Sequence, residues 1–116
     1  MAESQEELAK DLAEYENLEK QLEMLLVQKH QLQLQQNEVR HAIEELKKAG
    51  DANLYRSIGA VKMSTSKDDA EKDLGERAEL IKVKLGAIEK QEEKLRGVVM
   101  ERQKSIQESM KSHGKN

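Results

Sequence analysis

From Tyr15 onward the apolar positions step alternately by three and four through Tyr15, Leu18, Leu22, Leu25, Lys29, Leu32, Gln36, Val39, Ile43 and Leu46. Only Lys29 and Gln36 interrupt the stripe. Alternating steps of three and four are the heptad seam of a coiled coil: one narrow apolar line on a helix that is otherwise wetted, and that needs a partner. Lys47 and Lys48 suit the negative end of a helix, and Gly50 can take the left-handed position beyond it, which predicts a first helix over 5–49. A second seam runs through Leu74, Ala78, Ile81, Leu85, Ile88, Glu92, Leu95, Val99, Arg102 and Ile106, with Met110 beyond it. It predicts a second helix over 67–111 and a short tail over 112–116. Thr65 with Asp68, or Ser66 with Asp69, can form the capping box at its start.

Between the helices the period changes. Leu54 to Ile58 and Val61 to Thr65 flank Gly59-Ala60, and Gly in the first position of a two-residue turn is what a type II′ hairpin requires, so a β-hairpin is predicted over 53–65. Ile58 then faces Val61, Arg56 faces Met63 and Leu54 faces Thr65. That register puts Leu54, Ile58, Val61 and Met63 on one side, an apolar face with nothing in the chain to cover it. A lone hairpin is marginal in water and exposes both edges, so this one is expected to pair with hairpins of other chains. The predicted fold is mainly α: a single unit over 1–116, in which an antiparallel two-helix coiled coil carries one β-hairpin at the helix-helix connection.

Folding the helices back with Leu46 opposite Leu74 sets Lys29 opposite Glu92 and Gln36 opposite Leu85. Lys29 and Glu92 either pair, which disfavours slipped registers, or both run out to water along their alkyl stems. The arm ends differ in sign: residues 1–26 carry eight acidic side chains against two lysines, and residues 95–116 carry five basic against two acidic ones. This asymmetry favours bringing the two ends together.

Composition narrows the function classes. With 36% apolar and 37% charged residues, two aromatic side chains and no Pro, Cys, Phe or Trp in 116 residues, there is little material for a compact globular core, and a globular enzyme fold is not expected. The absence of Cys removes disulfides, thiolate metal sites and cysteine nucleophiles. No run approaches the length of a membrane span, the N-terminal stretch lacks the pattern of a signal peptide, and a net charge of -3 offers no general nucleic-acid surface. The expected location is the cytoplasm. His30, His41 and His113 have no metal-site spacing, and the glycines form no phosphate-binding loop, so neither a metal nor a cofactor is expected. Gly75, Gly86 and Gly97 recur every 11 residues along one helix flank, serving either close approach and arm flexibility or nothing beyond a tolerated surface. Near the arm ends, Leu8, Leu12 and Tyr15 on one helix and Met100, Ile106 and Met110 on the other offer apolar side chains. Most belong to the seam by default. Leu12, Met100 and Met110 lie off it or at its limit, and flexible Met and Leu side chains suit adaptable apolar binding.

A helix, a hairpin and a helix with Leu54-Tyr55-Arg56-Ser57-Ile58-Gly59-Ala60-Val61 at the centre resembles the beta class of prefoldin subunits over nearly the whole chain. The more specific points are Tyr-basic-x-aliphatic-Gly at Tyr55–Gly59, Lys67-Asp68 at the helix start, Leu74-Gly75-Glu76-Arg77, and Gln91-Glu92-Glu93-Lys94-Leu95. One hairpin rather than two marks the beta class, and the sequence looks closer to archaeal than to eukaryotic subunits. The three glycines of the second helix depart from the family pattern. The resemblance implies an ATP-independent chaperone in which two alpha-class and four beta-class subunits join their hairpins into a β-barrel platform. Arm tips would hold non-native proteins and deliver them to a group II chaperonin. By position, assembly falls to Leu54, Ile58, Val61 and Met63, and client binding to Leu8, Leu12, Tyr15, Met100, Ile106 and Met110. A homo-oligomeric or filament-forming prefoldin relative and a generic coiled-coil scaffold are the alternative readings.

Overall fold

The computed structural model describes residues 5–49 and 54–114, with side chains as far as Ser112. The elements are α1 (Gln5–Lys48), β1 (Leu54–Ile58), β2 (Val61–Thr65) and α2 (Lys67–Gly114). At 1.5 Å per residue the helices are about 66 and about 72 Å long. Gly50, expected beyond the first helix, Asn53, expected to begin the hairpin, and residues 115–116 of the expected tail lie outside the described residues. The part of that tail which is described, 112–114, is helical instead. Neither Ser112 nor His113 breaks a helix as Pro would, so the last turn simply continues.

The chain forms two compact units, one of residues up to Lys29 and from Ala87 onward, the other of His30–Gly86. In the second unit the hairpin has the register read from the turn: Leu54 with Thr65, Arg56 with Met63, Ile58 with Val61. Gly59 has φ +60°, and no residue other than glycine has a positive φ among those described. A positive φ at the first turn position followed by a negative one at Ala60 defines type II′. No neighbour crowds the place where a Cβ would stand on Gly59, so backbone conformation alone requires glycine there.

Ser66 separates β2 from α2 and caps the helix: the Asp69 amide donates to Ser66 Oγ at 3.1 Å and the Ala70 amide to the Ser66 carbonyl at 2.9 Å. Thr65 is the last residue of β2, its hydroxyl donates to the Ser66 carbonyl, and it is Ser66 Oγ that accepts the helix amide. Lys67 Nζ donates to the Ala49 carbonyl at 3.3 Å, closing the end of α1 from the start of α2. Leu46, Ile81 and Leu85 are buried here, and Leu32, Gln36, Val39, Ile43, Leu74 and Ala78 are half-buried.

In the first unit Leu25 and Ile106 are buried, and Tyr15, Leu18, Leu22, Ile88, Leu95 and Val99 are half-buried. Every predicted seam position on both helices is therefore at least partly covered, including the four polar ones. Lys29 Nζ donates to Glu92 Oε1 at 2.9 Å, which settles the open alternative in favour of a pair. The core is a thin line. Among the described residues no polar or charged side chain is fully buried, as expected where each helix has one covered stripe.

Candidate functional site

Chemistry needs converging titratable groups, and among the described residues no three His, Asp or Glu side chains come close enough to hold a metal ion. Apolar surface is what this chain displays. On the hairpin, Ile58, Val61 and Met63 are each more than half exposed, and Leu54 is half-buried. Alternation along each strand puts all four on one face, as their register requires. That face borders an open cleft of about 970 Å³, walled by the hairpin, the end of α1 at Ala42, Leu46 and Ala49, and the first turns of α2 at Ala70 and Leu74. The other face carries Tyr55, also more than half exposed. Both strands are five residues long and have one neighbour each, so each keeps an open edge.

One charge sits on the apolar face. Arg56, opposite Met63, reaches Asp73 of α2 with Nη2 at 3.5 Å from Oδ1, and Arg77 Nε lies 3.5 Å from Asp73 Oδ2. Periodicity does not reveal this contact, because Arg56 and Asp73 belong to elements with different repeats.

The arm-end residues divide. Met100 and Met110 are more than half exposed, and Leu12 is 39% exposed. Leu8 and Tyr15 are half-buried. Ile106 is 6% exposed and so is a core residue of the folded arm, not a presented one, because it continues the seam one step past Arg102. Arg102 donates from Nη1 to Asp11 Oδ1 at 3.2 Å, and its Nη2 lies 3.2 Å from Glu14 Oε2. The expected attraction between acidic and basic arm ends thus has a specific form, a fork-shaped cation held by two carboxylates. The signal was present in the sequence: stepping back from Tyr15 by four and three reaches Asp11 and Leu8, both half-buried.

Among the described residues two groups are shifted. Hydrogen bonds from Lys29 and Arg96 to Glu92 hold its carboxyl below the usual carboxylate value, and a hydrogen bond with Glu19 raises the Tyr15 phenol. Both report local pairing.

The prefoldin subunit family model matches residues 9–113. This chain belongs to the prefoldin family. It is 39% identical over 101 residues to prefoldin subunit beta of Thermococcus gammatolerans and 32% identical over 101 residues to that of Pyrococcus furiosus, covering 86% of each chain in both cases. The crystal structure of the prefoldin beta subunit from Thermococcus strain KS-1 superposes with a TM-score of 0.84 at 31% identity, over 94% of this chain and 96% of that one. The beta-class resemblance carried by Tyr55–Gly59 and the single hairpin is therefore borne out along the length of this prefoldin subunit. Among the described residues no helix is long and apolar enough to cross a membrane.

Proposed function

We propose that this prefoldin subunit is a beta-class component of a hetero-oligomeric, ATP-independent chaperone of the cytoplasm, joined to alpha-class subunits through its hairpin. In this reading the complex is a hexamer of two alpha and four beta subunits. The arm ends hold non-native proteins and pass them to a group II chaperonin. The observation that carries the reading is the hairpin's apolar face: Ile58, Val61 and Met63 lie exposed on a two-stranded sheet too small to stand alone. The beta-subunit relatives support the hetero-oligomer. Exposed Leu12, Met100 and Met110 support a client surface, since apolar contact at roughly 25 cal/mol per Å² needs no defined client sequence. Several arms engaging one chain would make individually weak contacts sufficient.

The test mixes the chain with the alpha-class subunit from the same genome and follows mass and aggregation of an unfolded protein together. Ile58→Asp with Val61→Asp puts two charges into an interface that must be dry, and should leave helical monomers or dimers by native mass spectrometry. Removing residues 1–12 and 105–116 deletes Leu8, Leu12, Ile106 and Met110 and keeps the hairpin, so assembly should persist while protection of the client falls. An intact hexamer from the double variant, or full protection by the shortened one, would overturn the corresponding half of the reading.

A further inference from the structure

Arg56 is an anomaly on the hairpin. It shares a face with Leu54, Ile58, Val61 and Met63, so a surface suited to being covered by another chain carries a full positive charge at its centre. A guanidinium cannot escape by losing its proton, and covered without a countercharge it would oppose the association that its apolar neighbours favour.

The countercharge comes from this chain's own helix. Asp73 lies one turn and a half into α2, with one carboxylate oxygen 3.5 Å from Arg56 and the other 3.5 Å from Arg77. Its side chain is 26% exposed, whereas the two guanidinium side chains are about half exposed. An ion pair this wet contributes little to the isolated chain. Its strength rises when a neighbouring surface displaces water from the hairpin, because the same two charges then interact through a less polar medium.

We propose that Asp73 is an assembly residue, supplying from within the chain the negative charge that lets Arg56 be covered by an uncharged, apolar partner face. The partner surface that fits is another prefoldin hairpin carrying no acid of its own opposite Arg56. The inference rests on the hairpin being the assembly element.

The experiment measures the concentration dependence of hexamer formation, by native mass spectrometry, for the full chain with the alpha-class subunit from the same genome. Asp73→Asn should weaken assembly by roughly tenfold or more while leaving the helicity and melting of the isolated chain unchanged. Asp73→Glu should retain most of the affinity. Adding Arg56→Gln to Asp73→Asn should recover part of the loss, since the orphaned charge is then gone. Wild-type assembly by Asp73→Asn, or no recovery on adding Arg56→Gln, would overturn the proposal. Ile58→Asp with Val61→Asp runs alongside. If it too assembles, the hairpin reading has failed, and if it alone fails to assemble, only the role of Asp73 is lost.

Discussion

Lys29 Nζ donates to Glu92 Oε1 at 2.9 Å across the two helices, and the same carboxylate accepts Arg96 Nε on its other oxygen at 2.9 Å. Two polar interruptions, 63 positions apart in sequence, thus meet in the seam and are each satisfied there. Slipping the helices by one heptad would set Lys29 against Leu85 or Val99 and Glu92 against Leu22 or Gln36, parting the two charges, so the pair selects register more than it adds stability. Lys29→Glu alone brings two carboxylates together, and Glu92→Lys alone adds a third cation beside Lys29 and Arg96. The exchanged double variant restores the cross-helix pair but leaves Arg96 facing a like charge. Its melting temperature should fall between the wild type and the two single variants, and a double-mutant cycle in urea should give a favourable coupling energy. Zero coupling would mean that the contact has no energetic role.

The depressed carboxyl of Glu92 gives a pH dependence with a definite sign. Its folded value lies below the ordinary 4.5, so the folded state binds this proton less readily than the unfolded one. The stabilisation is therefore complete above about 4.5 and is lost as the pH falls through the lower folded value. Thermal melts of the wild type and Glu92→Gln should differ by a constant amount from neutral pH down to that point and converge below it. A difference that stays constant into strong acid would contradict the assignment.

Gly59→Ala should weaken the hairpin without touching the helices. A side chain at φ +60° costs about 1–2 kcal/mol, and the open space around the position offers no compensating contact. Amide exchange across β1 and β2 should accelerate by roughly tenfold, since that factor corresponds to about 1.4 kcal/mol. The helical melt should be unchanged.

Gly75, Gly86 and Gly97 sit inside α2 with no atom near the place of a Cβ. Each Gly→Ala change should raise stability by about 0.8–1 kcal/mol, and the three should add because they lie three helical turns apart. The readout is urea unfolding of the triple variant. Unchanged client protection would identify these glycines as tolerated surface positions, and reduced protection would assign them to arm flexibility.

The seams, the hairpin and its register could be read from residue order because each is a local repeat. Steps of three and four define which stripe is covered, and the requirement for glycine at the first turn position pins Ile58 against Val61. The opposition of Lys29 and Glu92 likewise follows from nearly equal distances to the turn once the helices are taken to fold back, whereas the hydrogen bond between them is settled by the structure. Where two local patterns were equally good, the structure had to choose. Ser66 rather than Thr65 caps α2: Thr65 is still paired in β2, and the Asp69 amide reaches Ser66 Oγ.

Contacts between elements of unlike period were beyond the sequence. Arg56 meets Asp73 only because β2 runs into α2 through the single residue Ser66, which brings the hairpin over the first turns of the helix. At the arm end, the heptad assigned Ile106 to the seam, but whether the seam stays closed there depends on Arg102 reaching Asp11 and Glu14 across the helices. Periodicity determined which face of each element is apolar, since that is a property of one strand or helix alone. Only the tertiary structure decided which of those apolar residues are covered, because coverage depends on where long side chains of the neighbouring element end.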